Sequence, residues 1–150
     1  MPVEKSAGAI IFRREGGKTY YLLLHYPSTK RGAESDYWDF PKGHIEKGES
    51  QLDTVKREVK EETGLKDIKF IEGFKEWIKY FFKHKGKTIF KIVTFYLAET
   101  KTKDVKVSFE HLGYKWLPYE KALDQLTFEN AKNILKKAHL YLKSRRPEIK

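Results

Sequence analysis

The chain contains no cysteine, so a disulfide framework, a zinc–thiolate centre and a thiol nucleophile are all excluded. No apolar run approaches the roughly 20 residues that a membrane span requires, and the first residues lack the charged-then-apolar pattern of a secretion signal. These absences point to a soluble, cytoplasmic protein with no membrane partner. Acidic residues are in deficit, 21 against 31 Lys and Arg. The resulting charge of +10 gives a surface field that attracts polyanions, whether nucleotides, nucleic acid or acidic lipids, without choosing among them. Asn and Gln are scarce, two of each, and with abundant Lys and Glu this composition leans towards a thermophilic source.

What is present is enough for a core. With 39% hydrophobic and 15% aromatic residues in 150, the chain is no disordered segment and suits one domain, residues 1–150. Residues 6–12 read as a first strand, REGGK as a turn, and residues 20–26 as a strand buried on both faces. The segment STKRGAESDYWDF is polar, basic and flexible at first, then anchors on Trp38 and Phe40; Pro41-Lys42-Gly43-His44 reads as a tight loop. Ser50 followed by Asp53 marks a capping box that opens a helix ending near Thr63, with Leu52, Val55 and Val59 as its buried stripe. Residues 68–71 and 75–83 are strand-like, 84–87 form a turn, and 88–97 form the most β-prone stretch and the expected central strand. A short strand at VKVSF, another at residues 114–117, a short helix from Pro118 and a last helix over 128–142 complete an α/β sandwich. The tail SRRPEIK is expected to fray.

The helix over residues 50–63 carries an electrostatic burden. Glu58 and Glu62 lie one turn apart near its negative end, along the edge of the apolar stripe, and Glu61 falls beside Arg57. Like charges so placed destabilise a helix by a few tenths of a kcal/mol. A hard divalent cation, Mg²⁺, Mn²⁺ or Ca²⁺, relieves that repulsion; a solvated acidic face is the other reading of the same spacing.

The stretch GHIEKGESQLDTVKREVKEETGL resembles the Nudix hydrolase motif, with Gly43, Glu49, Arg57, Glu58, Val59, Glu61, Glu62, Gly64 and Leu65 at its fixed positions. The resemblance implies a Nudix-type α/β/α sandwich with a mixed β-sheet between helices, and Mg²⁺-dependent hydrolysis, Mn²⁺ substituting, of a nucleoside diphosphate linked to another group. It implies that the Gly43 carbonyl, Glu58 and Glu62 hold the metal with Glu61 close by, that Arg57 orients Glu58, and that Glu49 pairs with Arg57. IIFRR, FPKGHIEKGE, IEGFKEWIKYF, KGKTI, YLAE and EHLGYKWL, spread over roughly residues 10–117, are similar to patches of the asymmetrical diadenosine tetraphosphate hydrolases of animals and archaea.

By that narrower likeness Glu110 supplies a further carboxylate to the metal and shares with Glu58 the candidacy for general base, Tyr80 stacks on an adenine, and Lys42, His44, Lys85 and Lys87 meet phosphates. Phe128 joins the substrate side. Tyr80 and Phe128 would equally serve as core aromatics, Lys85 and Lys87 as solvated turn lysines, and His44 as a loop cap; His25, His84, His111 and His139 are left as surface or structural residues. The expected substrate is a nucleotide polyphosphate, diadenosine tetraphosphate giving ATP and AMP. RNA 5′ ends, oxidised nucleoside triphosphates and diphosphoinositol polyphosphates stand as other substrates, and a non-catalytic nucleotide- or RNA-binding module as the alternative from another class.

Overall fold

The computed structural model describes residues 2–28 and 35–145. The basic stretch after the second strand, residues 29–34, and most of the tail, residues 146–150, lie outside the described residues. The elements run β1 (Val3–Glu15), β2 (Lys18–Tyr26), β3 (Tyr37–Asp39), β4 (Lys42–His44), α1 (Gln51–Thr63), β5 (Lys69–His84), β6 (Lys87–Glu99), β7 (Gly113–Pro118), α2 (Tyr119–Gln125) and α3 (Glu129–Ser144). One mixed sheet runs in the order β3-β2-β1-β6-β5, with β4 added to β1 and β7 to β2. The parallel pair is β1 with β6 and the remaining pairs are antiparallel.

Strand alternation distributes the core to two layers. Ile10, Phe12, Leu23, Val93, Phe95 and Leu97 pack towards α2 and α3, through Leu126, Ile134 and Leu135. Ala7, Ala9, Ile11, Leu22 and Leu24 face Val55 and Val59 of α1. The mixed sheet between helices expected from the motif is therefore the observed architecture.

Four local expectations change. Residues 42–44 are a short strand, because Lys42, Gly43 and His44 pair with Gly8, Ala7 and Ser6 of β1. Leu52 is 39% exposed; the second and third turns of α1 seat on the sheet through Val55 and Val59, and the first turn stays outside. The two strand segments after α1 are one strand, β5, carrying a register shift between Phe70 and Lys75. Gly73 sits in that bulge at φ 87°, where the left-handed backbone and the Tyr141 hydroxyl, 2.2 Å from where a Cβ would stand, admit only glycine.

VKVSF is not a strand. Its amides cap α1 instead: Lys106 N–H donates to the Thr63 carbonyl at 3.0 Å and Ser108 N–H to the Glu62 carbonyl at 3.2 Å. The last carbonyls of a helix lack intrahelical partners, and this loop satisfies two of them. The capping box at the other end is as expected, with Ser50 Oγ accepting from Asp53 N–H and Asp53 Oδ2 from Ser50 N–H, both at 3.1 Å.

Candidate active site

α1 brings its carboxylates to the point where β4 crosses beneath it. Gly43 lies so close to Glu58 that a Cβ there would stand 2.0 to 2.5 Å from the Glu58 carboxyl atoms. The glycine of the motif thus leaves room for the carboxyl: a side chain at this position would displace Glu58 from where it stands.

Arg57 fixes this arrangement. Its Nε and Nη2 donate to the two Glu49 oxygens at 2.6 and 2.9 Å, a bidentate pair. Its Nη1 donates to Glu58 Oε1 at 2.8 Å, and its Nη2 also reaches the His44 carbonyl at 3.0 Å. The guanidinium ties the loop before the helix, the end of β4 and Glu58 into one unit. Its hydrogen bonds hold the Glu49 carboxyl down to about 2. Glu61, its side chain 58% exposed, turns to Arg57 at 3.4 Å.

Glu62 is buried, 7% exposed, and Oε1 accepts from Tyr26 Oη at 3.1 Å and lies 3.0 Å from His111 Nε2. The single Tyr26 hydroxyl proton is shared with the Phe40 carbonyl, 2.8 Å away, and Ser108 Oγ lies 2.8 Å from His111 Nδ1. Ser108 can donate to Nδ1 while Nε2–H donates to Glu62, which satisfies a neutral imidazole in full. Burial together with contact from Glu62 pushes the Glu58 carboxyl up to about 7, against the lowering effect of Arg57. Two carboxylates held this way resist double ionisation.

Among the described residues, no group of three or more Asp, Glu or His side chains stands ready to hold a metal ion. Two adjacent carboxylates lie against a glycine backbone here, and hard oxygen donors of that number would fit a divalent cation that completes its shell from water and substrate phosphate. Because the folded-state pKa of Glu58 exceeds its unfolded value of 4.5, the metal-free fold binds more protons than the unfolded chain between about pH 4.5 and 7, and its stability falls as pH rises through that window. A divalent cation such as Mg²⁺, held by this pair, would compete with that proton. Its stabilisation, read by thermal unfolding, is expected to be several-fold larger in °C at about pH 8 than at about pH 5; equal increments at the two pH values would remove the carboxylate pair from the metal site.

The remaining predicted residues divide. Lys42 Nζ bonds Asp39 Oδ2 at 2.5 Å and stands 5.6 Å above the Tyr26 ring, linking the carboxylate side to a cavity of about 290 Å³ lined by Asp39, Ile78, Tyr80, Phe82, Phe128 and Ala131. Tyr80 and Phe128, predicted separately, meet there, and Phe128 also packs on Tyr37 at 5.2 Å. His44 is exposed near Glu4, 3.8 Å away. Lys85 and Lys87 form the exposed hairpin tip, where Lys87 pairs with His84, about 13 Å along the strand from Tyr80. Glu110 is exposed, its N–H directed to Ser108 Oγ at 3.3 Å.

Sequence reasoning missed Lys91, His111, Tyr26 and Asp39. Lys91 is directly opposite Tyr80 in the sheet, 6% exposed, with Glu4 3.8 Å away. A lysine inside an otherwise apolar strand was its signal. His111 carried no signal beyond adjacency to Glu110.

The chain matches the family described as NUDIX domain over residues 3–138. It is 34% identical to the bis(5′-nucleosyl)-tetraphosphatase [asymmetrical] of Mus musculus, over 92% of this chain and 95% of that protein, and 36% identical to the Sus scrofa protein of the same name with the same shares covered. The fold superposes on the crystal structure of a C. elegans Ap4A hydrolase binary complex with a TM-score of 0.79 at 31% identity, covering 95% of this chain and 99% of that one.

Proposed function

Because this chain belongs to the Nudix hydrolase family, we propose that it hydrolyses dinucleoside polyphosphates by attack of water on the phosphate chain, cleaving Ap4A to ATP and AMP. The observation that carries this reading is the joining, through Lys42 and Asp39, of a carboxylate pair to an aromatic-lined cavity. One part suits a phosphoanhydride and the other a base. The likeness over nearly the full length of enzymes named for this substrate supports it.

Gly43, Glu58 and Glu62 would hold a divalent cation, with Glu61 and Glu110 near it, and when bound the ion would neutralise phosphate charge and acidify a water. Glu58, held in place by Arg57, is the carboxylate proposed to take the proton from the attacking water, with Glu110 the other candidate. Arg57 keeps the Glu58 carboxyl in one orientation. Lys42 and Lys91 carry phosphate charge as point charges, with His44, Lys85 and Lys87 reaching outer phosphates. Tyr80 and Phe128 hold an adenine. His111 and Tyr26 position Glu62.

A panel of nucleotides with Mg²⁺, its products separated by chromatography, tests the reading. ATP plus AMP from Ap4A is expected; two ADP would overturn the asymmetric cleavage, and no turnover of any phosphoanhydride would leave a binding module. Tyr80→Ala is expected to raise KM for Ap4A several-fold or more, in line with about 1–3 kcal/mol for a stacked base, and to change kcat less. An unchanged KM would remove the stacking role.

A further inference from the structure

The opposite face of the β5–β6 hairpin carries a second set of aromatic and basic side chains that the hydrolytic reading does not use. Alternation along β5 sends Ile78, Tyr80 and Phe82 to the cleft and sends Lys75, Trp77, Lys79, Phe81 and Lys83 to the other side. On that side Trp77 is 56% and Phe81 60% exposed. Register places Phe90, Ile92 and Thr94 of β6 beside Phe81, Lys79 and Trp77. Val3 and Lys5 of β1 follow, opposite Phe90 and Ile92. Phe81 and Phe90 touch at 4.9 Å between ring centroids. Helix α1 reaches only the near end of this surface, where Gln51 bonds Tyr96 and Thr94.

Aromatic rings standing out of a sheet would be a liability as an aqueous surface, and the lysines between them say what covers it. Strand geometry spaces Trp77 and Phe81 about 13 Å apart, with Lys79 between and Lys75 and Lys83 outside. No acidic residue from β5, β6 or β1 shares the face over these pairs. A second copy laid face to face would set this row of lysines against its own image, so the face is ill suited to self-association. A flexible polyanion with stackable faces matches both components, since bases stack on exposed rings without sequence preference while lysines follow the phosphates. The geometry points to a docking surface for single-stranded nucleic acid on this side of the hairpin, separate from the hydrolytic cleft.

The test uses a fluorescein-labelled oligoadenylate of about 12 nucleotides with a 5′-hydroxyl end, followed by anisotropy without divalent metal, so that the cleft has no phosphoanhydride to bind. Wild type is expected to bind, more weakly as salt rises and more weakly to a duplex of the same length. The double variant Trp77→Ala/Phe81→Ala is expected to lose roughly 5- to 100-fold in affinity, with Ap4A turnover unchanged. Lys79→Glu/Lys83→Glu, at exposed positions, is expected to lose at least about tenfold and to flatten the salt dependence; it decides the matter should the aromatic variant not fold. No binding by wild type, equal affinity in folded variants, a dimer that the aromatic variant dissociates in sedimentation, or attachment to anionic vesicles without attachment to the oligonucleotide would each overturn the proposal.

Discussion

Glu62→Gln is expected to reduce turnover by roughly 100-fold or more while leaving the fold intact, because the change removes a charge without removing a shape. The amide oxygen of Gln can still accept from Tyr26 and His111, the two groups that now hold Oε1 at 3.1 and 3.0 Å. The half of the side chain towards Glu58 then presents an N–H₂ donor where a carboxylate had been. That donor satisfies Glu58 directly and lets it ionise at lower pH, since contact with Glu62 is among the causes that raise it to about 7. The variant should therefore melt at the same temperature as wild type or higher without metal, and gain less from added Mg²⁺. Parallel measurement of turnover, Mg²⁺ affinity by titration calorimetry and melting temperature distinguishes this from unfolding. Near-normal turnover would remove Glu62 from the catalytic apparatus.

Gly43→Ala is expected to be as damaging although it adds one methyl group to the backbone. The new carbon would stand 2.0 Å from Glu58 Cδ, and no real side chain tolerates that approach. One of the two must move. β4 is held to β1 on both sides of the position, by the pairs Gly8 with Lys42 and Ser6 with His44, so the carboxyl yields and gives up its 2.8 Å bond from Arg57. Activity should fall by roughly 100-fold or more, since misplacement by about 1 Å costs on that order, with a loss of about 1–3 kcal/mol of stability from overpacking. Chemical denaturation and steady-state kinetics on the same preparation check both. Retained activity would show that Glu58 can work from another position.

The parts of the molecule legible in the sequence were those specified by neighbours along the chain. Ser50 and Asp53 cap one another across three residues, Gly64 ends the helix, and Arg57 reaches Glu58 and Glu61 within one turn. The strands β2 and β6 announced themselves by composition, and their burial between two helical layers follows. Leu52 misled because periodicity gives the face of a helix but not how far the sheet beneath it extends. VKVSF misled because its β-prone pattern does not reveal that its amides are needed by α1. Lys91 showed only as a lysine in an apolar strand and His111 not at all, since each is defined by what lies across the sheet or across the cleft, Tyr80 and Glu4 for one and Glu62 for the other.

The setting of Glu62 has a kinetic corollary. Tyr26 precedes it by 36 residues and His111 follows it by 49, whereas the helix that carries it closes its N-terminal capping box locally, between Ser50 and Asp53. During refolding, α1 can form on a helix timescale, but its buried carboxylate acquires both partners only after the hairpin β5–β6 has docked on β1 and the following loop has crossed back to the end of α1. Closing such long loops is slow compared with forming a helix. Helical signal should therefore recover before Mg²⁺ binding does, and catalytic competence should be among the last properties the chain regains.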